Sequence, residues 1–587
     1  MVKKRRGYKM KSFIELGLMI VVIVILNLLG GQYYKRFDLT KEKRYTLSET
    51  SKNLSAQVNE EMLIKVYLDG DVSPRFKQLK NAVRDILNEY RDLSEKNIVY
   101  EFKNPLEAAG KDDQQGILQL MAQKGITPYN DLQDKGIQEQ SVKWIIPGAE
   151  VFYQGKEYVW NFLSTRSGSA KEESINGSIE NLEYEFSNIL RKCVLPKKKK
   201  IAFLEGHGEL REEDVADFAL ELNDYYEIQR LNINIEDTSA MRRYALIIKE
   251  ENDATKLINA VQTSLNVFDG LVIAKPQSDI TKMESYFIDQ YIMKGGKVMW
   301  LIDPIIADMD SIEKYGKILA PSRNLELIQT QLFNYGVRMH NDILLDKTCN
   351  DIKVVSPFQQ NEMRAFPWVY FPVFFPKNEH PIMRNLEGVW GQFSSTMKLL
   401  SKENLTSTPL LISSNGTKVA KAPATIDISM IGLLSNKEYV NSFTGGSQVS
   451  GALLEGEFPS YFARRKQLSD IQLIKQSPKS KMIVISDGDI IRNHVSSKGE
   501  VSPLGFDRNT SRTFANKKFL LNCIDYLIDD SGLIEVRSKE IKLRLLDRVE
   551  VAENRSFWQI LNMGLPILLI LIFGVINSFI RKKKYAS

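Results

Sequence analysis

Apolar and polar positions follow two periods along this chain, and the period switches from segment to segment. Phe76, Leu79, Val83, Ile86 and Tyr90 recur at spacings of three and four, one face of a helix. Ser73-Pro74 supplies a cap and a first-turn proline for it. The runs on either side, MLIKVYL (62–68) and NIVYEF (97–102), are β-rich, so the trio predicts a parallel strand pair joined by a crossover helix. A helix over about 114–124 and a strand pair over 142–148 and 149–162 follow, with a turn at Gln154-Gly155. A helix over 178–191, with Ile179, Leu182, Phe186 and Ile189 on one face, closes a small α/β domain.

A second unit repeats the theme with more apolar strands. IAFLEG (201–206), YEIQRLNI (226–233), DGLVIAKP (269–276) and KVMWLID (297–303) alternate with helices, one at about 212–223 and one opened by a Thr281/Glu284 capping box and ended at Gly295-Gly296. Strands apolar at nearly every position suit a parallel sheet covered on both faces. Residues 351–475 break this rhythm and read as an insertion. Within it, AFPWVYFPVFFP suits an extended or edge element, and 366–376 is either packed core or a surface for a partner or ligand. KMIVISDGDII (481–491) resumes the sheet, and a helix over 515–529 packs after it.

The two ends are different. Phe13–Leu29 and Phe557–Ile580 are almost wholly apolar and each is about long enough to cross a bilayer as a helix. Lys3, Lys4, Arg5, Arg6, Lys9 and Lys11 precede the first, and Arg581, Lys582, Lys583 and Lys584 follow the second. By the positive-inside rule both termini are cytoplasmic and the bulk of the chain, roughly residues 32 to 555, lies outside. A cleaved signal peptide is the alternative for the first segment, although no A-x-A-like site follows it. The tails hold about ten positive charges against a net charge of +6, so the rest is about −4. That balance argues against a nucleic-acid partner.

The resulting organisation is a cytoplasmic tail (1–12), a first membrane helix (13–31), and a linker with the first α/β domain (32–195). A Rossmann-like domain in two parts (196–350 and 476–535) carries the insertion (351–475). A juxtamembrane segment (536–556), a second membrane helix (557–580) and a tail (581–587) complete the chain.

Chemistry is sparse. Three scattered cysteines, Cys193, Cys349 and Cys523, form neither a CxxC motif nor a disulfide framework. The chain lacks H-E-x-x-H, G-x-S-x-G and a phosphate loop. No cofactor or metal is implied. The stretch that draws attention is GHGE after the first strand of the second unit. In a parallel sheet ligands sit at the carboxyl ends of strands. Glu205, His207 and Glu209 follow one strand, Asp303 ends another, and Asp487 and Asp489 end the late one. These six are the candidate ligand-binding residues. The competing reading is a glycine turn with acids at a helix N-terminus.

Several segments together resemble one family. They are RFDLTKEKRYTLSETS after the first span, FLEGHGE, DGLVIAKP, DQYIMKGGKVMWLIDP, EHPI (379–382), ALLEGEFPSYF (452–462), VISDGDIIRN, and NKKFLLNCIDYLIDDSGLIEVRSKEIKLRLLDR. Their order is similar to that in the GldG family, gliding-associated ABC transporter substrate-binding components of Bacteroidetes. The resemblance implies a permease and an ATPase as partners, with nucleotide chemistry on another chain. It also implies a central glutamine-amidotransferase-like α/β domain, related to one in an intraflagellar-transport subunit, whose catalytic cysteine has no match here. The expected function is a non-enzymatic auxiliary subunit in the inner membrane. A membrane-anchored hydrolase of envelope glycans or peptides and a pure scaffold are the alternatives.

Overall fold

The computed structural model describes residues 16–25, 46–107, 110–134, 140–163, 171–194, 199–240, 254–355, 363–384, 386–433, 436–465, 473–529 and 554–585, with a few isolated positions. The basic N-terminal tail, the linker before residue 46, most of the basic run at 196–200 and nearly all of the juxtamembrane stretch lie outside the described residues.

The N-terminal part is built as its periodicity predicts. Helix α1 (Glu49–Ser55) precedes β1 (Met62–Val66), α2 (Pro74–Leu93), β2 (Ile98–Phe102) and α3 (Lys111–Gln123). A hairpin of β3 (Tyr129–Asp134) and β4 (Gln140–Ile145) leads to β5 (Gly148–Tyr153), β6 (Lys156–Asn161) and the long helix α4 (Lys171–Val194). The strands β1 and β2 pair in parallel, and the four-stranded order is β2-β1-β5-β6. The expected pairing of 142–148 with 149–162 is corrected: β4 pairs with β3, and β5 with β6. Gln154 and Gly155 both take positive φ, which gives the tight turn between β5 and β6 its hairpin twist. The apolar face of α2 (Phe76, Leu79, Val83, Leu87 and Tyr90) is fully buried against the sheet and α4. Each such side chain contributes about 1.5–3 kcal/mol.

The central sheet has nine strands. Chain order runs β7 (Lys200–Glu205), α5 (Ala216–Asn223), β8 (Glu227–Asn232), α6 (Ala254–Leu265), β9 (Gly270–Ala274), α7 (Lys282–Met293) and β10 (Lys297–Leu301). It continues through α8 (Glu326–Tyr335), β11 (Val337–Met339), β12 (Cys349–Val355), β13 (Met363–Phe374), β14 (Met397–Leu399), β15 (Leu405–Ile412), β16 (Val449–Pro459), β17 (Gln476–Ile485) and α9 (Asn516–Ile528). The spatial order is β11-β14-β16-β17-β10-β9-β7-β8, with β15 also on β16. Five adjacent strands, β8, β7, β9, β10 and β17, are parallel. Alternate residues explain the continuous apolar runs. Leu271 and Ile273 of β9 enter the core beneath α6, α7 and α8, while Val272 and Ala274 enter the core beneath α5 and α9.

Part of the expected insertion joins this sheet: β14, β15 and β16 extend it through antiparallel pairing, because β16 and β17 form a long hairpin. The aromatic run is a strand, β13, paired with β12, and it is buried from Trp368 to Phe374. Of the stretch 366–376, residues 368–374 are core, while Pro367 and Phe375 on either side are exposed.

A buried ion cluster fastens α4 to the sheet domain. Arg191 Nη1 lies 3.1 Å from Asp525 Oδ1 on α9, and Nη2 donates to the Tyr226 hydroxyl at 2.8 Å.

The C-terminal residues form a separate unit. Here a helix runs over Arg555–Ile580, long and apolar enough to cross a membrane, with a π-helical turn over Ile560–Gly564 just before Pro566. Of the first apolar segment, Leu16–Ile25 is a helix, and the flanking residues lie outside the described residues.

Candidate functional site

The parallel strands end at a shared edge, and the six candidate residues divide there into three groups. Glu205 ends β7 and pairs with Arg230 of β8, whose Nη2 also donates to Leu210 O at 2.7 Å. It belongs to the rim.

His207 and Glu209 fold into the protein. Gly206 (φ +122°) and Gly208 (φ +74°) reverse the chain after β7. A side chain at either would meet Asn232 or Gln277 at about 3 Å, so the turn needs glycine. The reversal lays the loop on the one after β9: Gln277 N and Ser278 N donate to His207 O at 2.8 and 3.1 Å. The imidazole is only 3% exposed. Its Nδ1 is 3.2 Å from Glu209 Oε1, and Nε2 is 3.1 Å from Glu284 Oε2, an ion-pair distance outside hydrogen-bond geometry. Glu284 is the capping-box acid of α7, accepting from Thr281 N at 2.6 Å. Burial disfavours the charge on His207, but the two carboxylates outweigh it and push its pKa up to about 10. At neutral pH it is an imidazolium. An imidazolium has no lone pair for a metal and no capacity to act as a base. The glycine-turn reading of GHGE is the one that this geometry favours.

Asp303, Asp487 and Asp489 do come together, each presenting a carboxylate oxygen within 4.8 Å of the others. Asp303 follows β10, and Asp487 and Asp489 follow β17. Between them stands Lys275, which follows β9 in a left-handed conformation (φ +57°). Its Nζ lies 3.1 Å from Asp303 Oδ2 and contacts Asp489 Oδ1. Asp303 Oδ1 accepts from Gly488 N. Asp487 Oδ2 accepts from Ser394 Oγ at 2.5 Å and Gln392 N at 2.7 Å, and its Oδ1 accepts from Asp489 N at 3.0 Å. Burial first, then the charges of Asp303 and Asp489, push the Asp487 carboxyl up to about 8. Asp489 is raised as well, again chiefly by burial. Lys275 is held protonated because its two aspartates overcome its own burial.

The donor set does not fit a divalent cation. Three carboxylates suit one, but the ammonium of Lys275 fills the position between Asp303 and Asp489, and backbone or hydroxyl donors occupy the other named oxygens. Arg492 Nη1 adds a second cation 3.7 Å from Asp489 Oδ1, and the cluster is a cross-linked knot that ties the ends of β9, β10 and β17 to the chain entering β14.

No thiolate serves the edge among the described residues. Burial pushes the Cys193 and Cys349 thiols up to about 12 and raises Cys523 well above its ordinary value, so none is a thiolate at neutral pH. The sequence did not reveal Lys275, Glu284 or Ser394 as members of these groups. A lone lysine ending an apolar strand was the available signal for Lys275. The pairing of Glu284 with His207 had none, since the two meet only through the tertiary fold.

Residues 198–523 match a family described as "ABC-type uncharacterized transport system", and residues 41–152 match a domain of unknown function. An uncharacterized protein of Borreliella burgdorferi is 24% identical over 584 residues, covering 97% of this chain and 98% of its own. Among solved structures, the N-terminal domain of mmIFT52 aligns with 56% of this chain and 97% of its own, at 11% identity and a TM-score of 0.30. The first match begins just before β7, ends within α9 and takes in more than half of the chain, which therefore belongs to the ABC-type uncharacterized transport system family.

Proposed function

We propose that the chain is a non-enzymatic auxiliary subunit of an ABC-type transporter of the GldG kind, acting in gliding motility or envelope transport. Family membership carries this reading. The sheet edge supports the absence of catalysis, since its ionisable groups are engaged with one another. In this proposal two membrane helices, 13–31 and 557–580, anchor the protein in the inner membrane with both termini cytoplasmic. A Rossmann-like domain interrupted by an insertion then faces the periplasm, next to the smaller α/β domain. A permease and an ATPase are the partners, and nucleotide hydrolysis takes place on the latter.

Affinity capture of the full-length chain from native membranes at native expression is the test. A permease and an ATPase recovered in fixed proportion support the proposal. Recovery of the chain alone overturns it. Glycan or peptide hydrolysis that disappears on His207→Ala, Glu209→Ala or Asp487→Ala substitution in a folded protein would instead establish the hydrolase.

A further inference from the structure

An open cleft of about 540 Å³ lies between the loop at 322–325, α8 and β11, a volume within the range of small-molecule sites. Two guanidinium groups line it. Arg323 is 8% exposed; its Nε donates to Asp303 O at 3.2 Å and its Nη1 to Gln277 Oε1 at 2.6 Å, and its Nη2 makes no hydrogen bond with the described residues. Arg338, exposed on β11, makes no ion pair or hydrogen bond through its side chain with the described residues, and it stands directly across from Lys398 of β14. Like charges facing each other across strands cost stability, so Arg338 stands as a cation without an ion pair among the described residues, whereas Arg323 is attracted by Asp303 and Asp489 behind it. Glu326 is the acid in the lining.

The remaining wall is specific in character. Phe333 is 47% exposed, with Lys402 Nζ 5.9 Å from its ring centroid. Gln329 Nε2 donates to Asn341 Oδ1 at 2.8 Å, a bond that leaves the other amide atom of each side chain free of a hydrogen bond with the described residues.

We propose that this cleft binds an acidic sugar, a pyranose bearing a carboxylate or phosphate. The fork of Arg338, with Arg323 behind it, takes the anion. The apolar C–H face of the ring lies against Phe333. The amides and Glu326 take the hydroxyls. The inference deepens the transport reading by naming a ligand class, but binding by the isolated chain needs no partner subunit, so its outcome is separate from that of the capture experiment.

Isothermal titration of the full-length chain in detergent micelles, with tri-galacturonate, glucose 1-phosphate and neutral maltotriose as probes, tests it. At least one acidic probe should bind about tenfold or more tightly than maltotriose, and Arg338→Ala and Phe333→Ala should each weaken it about tenfold with unchanged circular dichroism. Tri-galacturonate or glucose 1-phosphate as the preferred probe would distinguish a carboxylate ligand from a phosphate one. The proposal is overturned by absence of binding, by equal affinity for maltotriose, by variants that bind like the parent, or by a hexaglutamate peptide that binds more tightly than either acidic sugar.

Discussion

His207 makes stability depend on pH in a defined direction. Its folded pKa of about 10 lies above the ordinary 6.5, so the folded state holds the proton more firmly than the unfolded chain does. The stabilisation is complete below pH 6.5 and is lost as pH rises through 10. His207→Gln should therefore cost about 3 kcal/mol below neutrality, as for other broken buried pairs, and the gap from the parent should close toward pH 10. Urea unfolding at several pH values measures this. Lys275 gives the complementary case. Lys275→Met leaves Asp303 and Asp489 buried without their cation, at a cost of about 3–5 kcal/mol. The deficit should be smaller at pH 5 than at pH 8, because burial already raises Asp489 and a proton there relieves it; an equal deficit at both would refute the charge argument. At this scale the sequence was a partial guide. The glycines around His207 announced a turn, and that is what they make. The proximity of Glu284 was hidden, because it arrives on a helix from much later in the chain.

Elements were more legible than contacts. The i, i+3, i+4 spacing in α2, the Thr281 capping box and the apolar strands β7, β9 and β10 are local signals, and each element formed where its signal lay. What remained illegible was pairing. Short strands such as β14, and β15 with its polar residues, acquire their identity from β16 alongside, so a segment that reads as an insertion extends the main sheet. Pro367 and Pro372, in a stretch that reads as an extended loop or edge element, stand in β13, a strand of a small sheet apart from the main one. The joint between α4 and α9 offers a test at this level. Arg191 is buried between Asp525 and Tyr226. Arg191→Leu should cost about 3–5 kcal/mol and separate the unfolding of residues 46–190 from that of the sheet domain. A single cooperative transition in calorimetry, at unchanged temperature, would show the joint to be dispensable.

For the whole molecule, the composition was informative because its charge is unevenly placed: the tails are basic and the folded part is not. If both apolar ends are anchors, deleting residues 555–587 should leave the chain in the membrane pellet after carbonate extraction, and only removal of residues 1–31 as well should release it. Release by the single deletion would show that the first segment does not hold the protein in the bilayer.

The lysine among the three aspartates has one more consequence. A counter-ion that is part of the backbone's own side-chain complement is present at unit stoichiometry from the moment of synthesis and cannot be diluted or chelated away. The edge where four segments of the sheet domain converge is thus closed without drawing on the divalent ions of its surroundings. The geometry of this edge is therefore constant, whatever ions the medium supplies.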